Sequence, residues 1–176
     1  VGAIVDLRRG FGIEEVIGQS ETFIKERPLP DNFRKKGPVT VEDAMVFLAR
    51  FENGALGSFE ATRMAAGRKN FLEFEINGSE GSLRFNLERL NELQFFSRKD
   101  RSGQQGFRTI LVTEPTHPYL QAWWPPGHII GWQHTFVHEV LDLLTAIEKD
   151  KPVEPDFRDG VRCQAVLEAV SLSLRR

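Results

Sequence analysis

The chain has 176 residues, 40% of them hydrophobic, and a formal net charge of −2. This length and composition are typical of a single domain with one hydrophobic core. The charge balance provides no positive field for nucleic acid or an anionic membrane, and the apolar runs are far shorter than the roughly 20 residues that a bilayer span requires. The single cysteine, Cys163, excludes an internal disulfide. We therefore expect a soluble, cytoplasmic protein with one domain over residues 1–176.

Alternating polar and apolar residues predict strands in the first two thirds of the chain. Residues 13–25 alternate in this way, whereas residues 27–38 contain three prolines and a basic cluster and predict a loop. Two further strand-like segments, 41–52 and 55–64, flank Asn53-Gly54. This dipeptide favours a type I′ turn, in which both central residues have positive φ, and so predicts a hairpin.

A second hairpin is predicted by residues 71–76 and 82–86, which alternate on either side of a Gly-rich turn. Residues 93–97 and 107–113 complete a series of about six or seven strands. The polar, Gly-rich segment between these last two strands predicts a loop.

The pattern then changes to a helical period. From Thr135 onward apolar residues recur at intervals of three and four, and Lys151-Pro152 ends this amphipathic helix. A second helix is predicted over residues 161–174, with Asp156 or Asp159 as its N-cap.

Strands joined by hairpins and followed by helices predict the α+β class. We expect an open, mostly antiparallel or mixed sheet of about six or seven strands with helices packed on one face. Residues 44–51 and 71–76 would leave apolar side chains on the other face. That face must be covered by a partner subunit or by a further domain.

The known nucleotide-binding motifs are missing from the chain. The nearest candidate, Gly10-Phe11-Gly12-Ile13-Glu14-Glu15, lacks the third glycine and leads into a strand, so no helix N-terminus would face a pyrophosphate. The chain also has neither a GxxxxGK[ST] nor a GxSxG sequence. We expect no cofactor-binding residues in this chain.

His134 and His138 are four residues apart and share a helix face, a spacing that can hold a metal ion. A third ligand would have to come from His117 or His128, both in predicted loops. Because the pair is incomplete, we expect the edge of a packed helix face here and no metal site.

Residues 123–140, WWPPGHIIGWQHTFVHEV, concentrate tryptophan and histidine at the entrance to the first helix. They either plug the end of the sheet or form a wall that stacks on sugar rings and hydrogen-bonds their hydroxyls. The second interpretation names Trp124, His128, Trp132 and His134 as substrate-binding residues. The basic residues just after the first hairpin are further candidates: Arg63, Arg68 and Lys69.

The order of the segments resembles the C-terminal domain of the Gfo/Idh/MocA oxidoreductases, the family of glucose-fructose oxidoreductase and inositol 2-dehydrogenase. The resemblance is carried by Val41-Glu42-Asp43, Phe51-Glu52-Asn53-Gly54-Ala55, the NGSEGSL sequence at 77–83, the GWQHTF helix entrance and Asp159-Gly160. No single piece is very specific, but together they cover nearly the whole chain.

This resemblance implies an NAD(P)-dependent oxidoreductase that acts on sugars, polyols or related carbonyls. In the family, an N-terminal Rossmann domain holds NAD or NADP. The C-terminal sheet forms one wall of the substrate site and joins subunits into a dimer or tetramer. The Rossmann half and its Glu-Lys-Pro lysine are absent here. The chain begins at Val1 and stops within a helical pattern, so we expect a piece of a larger protein that does not turn over alone.

The family also carries an aspartate and a histidine at the start of this domain, followed by a second Asp-Leu. Only VGAIVDLRRGFG stands there in this chain, and Asp6 matches either the first aspartate or the later Asp-Leu. Neither alignment supplies a histidine, so the resemblance implies Asp6 as the candidate catalytic residue without a general acid. Two alternatives remain, a stand-alone sugar-binding module and a structural dimerisation module.

Overall fold

A computed structural model describes residues 5–6 and 12–174. This part of the chain forms ten strands and two α-helices, which are β1 (Val5–Asp6), β2 (Ile13–Glu21), β3 (Glu26–Leu29), β4 (Asn32–Pro38), β5 (Ala44–Phe51), β6 (Leu56–Thr62), β7 (Glu73–Asn77), β8 (Gly81–Asn86), β9 (Glu92–Ser97), β10 (Arg108–Leu111), α1 (Trp132–Glu148) and α2 (Phe157–Leu174). The chain divides into two compact units. We call residues 1–66 with 154–176 the α2 unit, and residues 67–153 the α1 unit.

The α+β class is confirmed, and every pair of described strands is antiparallel. The ladders fall into three sheets, in the orders β1-β2-β5-β6, β10-β9-β8-β7 and β3-β4. This differs from the single sheet of six or seven strands that the sequence predicts. Alternation along a strand specifies which residues share a face, but it does not specify which strands hydrogen-bond to each other.

The prediction of a loop over residues 27–38 is wrong, because these residues form the two-stranded ribbon of β3 and β4. Pro28 lies opposite Lys36, and the register shifts immediately after it. In a two-stranded ribbon each strand has one outer edge without a ladder partner, so a proline that lacks an N–H costs no hydrogen bond there.

The hairpin of β5 and β6 is confirmed, but its turn is not of type I′. Only Gly54 has a positive φ, +84°, and its N–H donates to the Phe51 carbonyl at 2.8 Å. The Phe51 N–H in turn donates to Ala55 at 2.9 Å. The loop therefore has three residues with glycine in the left-handed position, the other common way to close a hairpin.

The core of the α2 unit lies where α2 packs on the sheet. Its fully buried members come from β2, β5 and α2, and they are Val16, Ala49, Ala169 and Val170. A glycine permits this close packing, because a Cβ on Gly18 would lie 3.2 Å from a methyl group of Val170. The Gly18 N–H donates to the buried Ser173 hydroxyl at 3.0 Å, and that hydroxyl donates to the Val170 carbonyl at 2.7 Å.

The start of α2 is fixed by two aspartates. The Asp156 side chain accepts the backbone N–H groups of Arg158 at 2.6 Å and Asp159 at 3.3 Å. The Asp159 side chain accepts the Asp156 N–H at 3.0 Å. This reciprocal arrangement is a capping box, and it identifies Asp156 rather than Asp159 as the N-cap.

The sheet of the α1 unit has one mainly apolar and one mainly polar face, because side chains alternate along each strand. The polar face carries the Arg84–Glu73 ion pair at 3.0 Å. The apolar face aligns residues from all four strands, namely Phe74, Ile76, Leu83, Phe85, Leu93, Phe95 and Ile110.

Helix α1 ends just before the predicted Lys151-Pro152. Asp150 adopts a left-handed conformation with φ +49°, its N–H donates to Ile147, and the Lys151 N–H donates to Ala146. These bonds form a Schellman motif, which satisfies the last carbonyls of the helix.

Candidate functional site

The segment before α1 is a fixed loop, which we call the aromatic loop (residues 119–131). The Asn91 side chain clamps it near its end, accepting the Ile130 N–H at 2.9 Å and donating to the Ile130 carbonyl at 2.8 Å. Gly127 turns the chain with φ +91°, and its N–H donates to the buried Thr113 hydroxyl at 3.1 Å. Hydrogen bonds at these two points thus hold the backbone that presents the side chains of the loop.

Trp124 and His128 form an exposed pair on this loop. Trp124 is 73% exposed, and its ring lies 5.8 Å from that of His128 at an interplanar angle of 31°. The Nδ1 atom of His128 lies 2.7 Å from the Pro125 carbonyl, which can only accept, so Nδ1 carries a proton. In the neutral ring Nε2 is then a free acceptor. We call this pair the Trp124–His128 platform.

Trp123 points the other way, into a cluster with α1. Its indole N–H donates to His138 Nε2 at 2.8 Å. The Tyr119 ring stacks on His138 with centroids 4.3 Å apart and an interplanar angle of 10°. The Tyr119 hydroxyl donates to Asp142 at 2.7 Å. We call these four residues the His138 cluster.

The cluster shifts the protonation of two of its members. The hydrogen bond to the Asp142 carboxylate raises the pKa of Tyr119 above its usual value. Burial lowers the pKa of His138, and the neighbouring His134 acts in the same direction. The two shifts favour a protonated Tyr119 hydroxyl and a neutral His138 ring, which are the states that the hydrogen bonds require.

The other two predicted substrate-binding residues of this segment lie at the helix entrance. His134 Nδ1 accepts the Gly131 N–H at 3.0 Å and its ring meets Trp123 edge-on at 4.5 Å. It therefore caps the helix and contacts the inward tryptophan. Trp132 packs edge-on against Phe136 at 6.1 Å and is half exposed.

The basic candidates after the first hairpin do not share one environment. Arg63 is an exposed residue of the α2 unit, and its N–H donates to the Asp43 carbonyl at 2.8 Å. Arg68 belongs to the α1 unit, where its guanidinium lies 3.9 Å from the Phe71 ring and 3.8 Å from Glu88. These contacts make Arg68 part of a local surface cluster.

Glu88 also fixes the backbone of Lys69. It accepts the Lys69 N–H at 2.7 Å and the Asn70 N–H at 3.1 Å. The hydrogen bond from Lys69 is the main reason that the pKa of Glu88 lies below its usual value. The backbone here is therefore tied down by a carboxylate in the 3-10 turn after β8.

The start of the chain is described only in part. Asp6 lies in β1 opposite Glu15, but its side chain lies outside the described residues, as do Gly10 and Phe11 of the glycine segment. Its role as a catalytic carboxylate stays a prediction.

One of the motifs behind the family resemblance has a structural role. Asp43 is 4% exposed; its carboxylate accepts the Ile24 N–H at 2.9 Å and pairs with the Arg27 guanidinium at 2.8 Å. The Ile24 N–H, followed by Arg27, holds the pKa of Asp43 below its usual range. Asp43 therefore ties the segment after β2 to the start of β5.

Helix α1 exposes most of its apolar residues. The half-exposed side chains lie on one broad side of the helix, the apolar arc, and are Trp132, Phe136, Val137, Val140, Leu141, Leu143, Leu144 and Ile147. His134, His138 and Asp142 lie on the other side and are partly buried. The amphipathic pattern of the sequence is correct, but in this structure the polar side makes the intramolecular contacts.

Sequence reasoning missed three residues of this region. Tyr119 has a left-handed backbone with φ +67°, an uncommon conformation for an aromatic residue. Asn91 is 39 residues from its partner Ile130, and Asp142 lies on the polar side of α1. Tyr119 is the chain's single tyrosine, but its sequence position shows neither its stacking nor its strain.

In the described part of the chain, no group of three or more His, Cys, Asp or Glu residues is placed to hold a metal ion. Helices α1 and α2 both lack the combination of length and apolar character that a membrane crossing requires.

The described residues form an antiparallel α+β fold. A family model described as the oxidoreductase family, C-terminal alpha/beta domain, of the Gfo/Idh/MocA group matches residues 14–176. The chain belongs to this family.

Individual relatives agree with that assignment. Levoglucosan dehydrogenase from Pseudarthrobacter phenanthrenivorans is 42% identical over 161 residues, which cover 85% of this chain and 41% of the relative. The crystal structure of an oxidoreductase domain protein from Kribbella flavida is 56% identical and has a TM-score of 0.85. The match covers 92% of this chain and 42% of the Kribbella chain.

A levoglucosan dehydrogenase structure in complex with NADH and levoglucosan is also similar. It has a TM-score of 0.78 and 42% identity over 90% of this chain and 43% of its own. The chain thus spans less than half the length of the relatives it matches.

Proposed function

We propose that this chain is the substrate-binding and oligomerisation domain of an NAD(P)-dependent oxidoreductase that acts on sugars or polyols. The observation that carries the proposal is the Trp124–His128 platform, an exposed indole beside a ring nitrogen that is free to accept a hydrogen bond from a hydroxyl. Family membership and the relatives with levoglucosan or L-sorbose and NADH support the same substrate class.

The platform suits a sugar for a physical reason. One face of a sugar ring presents C–H groups, and an aromatic face packs against them while excluding water. A sugar hydroxyl would then donate to His128 Nε2. Selective binding of a sugar needs both contacts, because a flat apolar contact alone does not discriminate a polyol from a hydrocarbon.

Substitution of Trp124 tests the platform. We expect Trp124→Ala to raise the Kd for levoglucosan about tenfold, equivalent to roughly 1.4 kcal/mol, with little change in stability because the side chain is 73% exposed. Isothermal titration calorimetry with levoglucosan, L-sorbose and myo-inositol is the measurement. Trp132→Ala is the matched comparison, with a smaller expected effect because its indole packs on Phe136. Equal affinities in wild type and Trp124→Ala would remove the platform from the site.

The cofactor is proposed to belong to a part of the whole protein outside this chain. A dinucleotide fold needs a strand, a Gly-rich turn and a helix whose N-terminus faces the pyrophosphate. The described strands pair only with antiparallel neighbours, so these residues do not fit NAD or NADP by that route. The exposed apolar arc of α1 supports the presence of a further domain. Asp6 remains the proposed catalytic residue, and a general acid would come from elsewhere.

Oligomerisation through the outer sheet face of the α2 unit is part of the proposal. Residues that share a face opposite the α2 core include Val46 and Leu48, which are 48% and 59% exposed, and Leu56 at 73%. The Arg50–Glu15 ion pair lies beside them. An apolar centre with polar residues around it is the usual composition of a subunit interface.

We expect the chain to self-associate at tens of micromolar, and Leu48→Glu to shift it towards monomer by burying a charge in the interface. Sedimentation velocity measures the distribution. Leu167→Glu on α2 is the control, since Leu167 has a similar exposure, 53%, and lies outside the sheet face. A wild-type chain that stays monomeric at these concentrations would argue against the interface.

A further inference from the structure

The contact between Trp123 and His138 depends on the protonation state of the histidine. An indole N–H donates and never accepts, so His138 Nε2, 2.8 Å away, must carry a lone pair. In the neutral ring the proton is then on Nδ1. An imidazolium would place an N–H against the indole N–H, and the hydrogen bond would be lost.

This contact holds the start of the aromatic loop. The far end is fixed by Asn91 on Ile130 and by the Gly131–His134 bond. At the near end, the backbone N–H of Trp123 donates to the Leu120 carbonyl at 3.1 Å. The indole N–H of the same residue donates to His138. Trp124 is the next residue along the chain, so the orientation of Trp123 fixes where the platform begins.

Tyr119 adds a second reason why the near end depends on His138. Its backbone has φ +67°, a conformation that costs free energy in a bulky residue and persists only where surrounding contacts impose it. Those contacts are the stack on His138 and the hydrogen bond to Asp142. Movement of the His138 ring would release both Tyr119 and Trp123.

We propose that His138 is a positioning residue whose neutral ring holds Trp123, and through it the Trp124–His128 platform, so that protonation of His138 loosens the platform and weakens sugar binding. The effect on sugar rests on the proposed function. The effect on the two tryptophans does not.

Three titratable groups of the described residues face His138. His134 and Asp142 lie on its own helix, and Tyr119 faces it from the aromatic loop. Asp142 favours the charged ring, but burial and His134 outweigh it and lower the pKa of His138 below 6.5. The neutral ring therefore contributes its full stabilisation above pH 6.5, and this is lost as the pH falls through the lowered pKa.

The test follows the three indole N–H signals of the ¹⁵N-labelled chain by NMR, assigned with single Trp→Phe variants, from about pH 7.5 to about pH 5. We expect the Trp123 and Trp124 signals to move together, with a midpoint below 6.5. The Trp132 signal should not follow that midpoint, because this ring packs on Phe136.

Two matched variants assign the titration. His138→Gln keeps an acceptor oxygen near the Nε2 position but cannot titrate, so we expect the Trp123 signal to keep its high-pH position throughout. His134→Gln removes the neighbouring imidazole while a glutamine at this position still supports the helix cap, and the titration should persist. The proposal is overturned if the Trp123 signal does not titrate, or if it titrates equally in His138→Gln.

Sugar binding supplies the functional readout. If levoglucosan binds, its Kd in wild type should rise in step with the Trp123 titration, in inverse proportion to the fraction of molecules that remain competent. In His138→Gln the rise should be smaller, because only the acceptor at His128 Nε2 can then be lost. A Kd independent of pH, with titrating tryptophans, would overturn the functional half. If no sugar binds at either pH while Trp123 and Trp124 titrate together, the proposed function fails and the positioning role of His138 stands.

Discussion

Replacement of Gly81 by alanine is expected to destabilise the α1 unit by about 3 kcal/mol, at the upper end of overpacking effects. A Cβ at this position would collide with the carbonyl oxygen of Phe96 on the neighbouring strand. That oxygen belongs to the β8–β9 ladder, so it cannot move aside as a flexible side chain would. Urea denaturation followed by circular dichroism measures the loss.

Gly78→Ala is the control within the same turn. Its Cβ would lie 3.5 Å from the Gly81 carbonyl oxygen, an ordinary van der Waals contact, and we expect a change within about 0.5 kcal/mol. If Gly81→Ala proves as stable as Gly78→Ala, the close approach of β8 and β9 is not rigid, and the argument from packing is refuted.

Ser173→Ala is expected to destabilise the α2 unit by about 2 kcal/mol, the cost of an unpaired buried N–H. The Ser173 side chain is fully buried and its hydroxyl is the acceptor for the Gly18 N–H. Alanine fits the space but supplies no acceptor. The free energy of unfolding in urea, compared with wild type, gives the magnitude.

Ser171→Ala on the same helix separates this effect from helix propensity. The Ser171 hydroxyl bonds only back to the Leu167 carbonyl, and alanine is the better helix former by about 0.5 kcal/mol. We expect Ser171→Ala to be neutral or slightly stabilising. A similar loss in both variants would mean that the Ser173–Gly18 bond contributes nothing specific.

Much of the fold follows from local sequence. The strands around Asn53-Gly54 and around the NGSEGSL turn, and the helix that starts near Asp156, are set by alternation, turn residues and caps, which act between neighbours in the chain. The ribbon of β3 and β4 was not predicted from the sequence. The prolines of residues 27–38 exclude a central strand but permit a strand with a free edge.

The candidate site shows the same division. The sequence indicated that residues 123–140 concentrate tryptophan and histidine, and the structure places Trp124 beside His128. It also shows that Trp123 points inward to His138, a difference between adjacent residues that their shared side-chain chemistry does not express. Arg63 lies in the α2 unit, apart in the chain from the aromatic loop.

The sequence by itself determined the α+β class, the hairpins and the family, because these depend on patterns repeated along the chain. Only the tertiary structure decided which histidine accepts the Trp123 N–H, that Asn91 clamps a residue 39 positions away, and that Ser173 completes the hydrogen bonding of Gly18. These contacts join groups far apart in sequence, and a single pair of residues leaves no periodic signal that a reader of the sequence could detect.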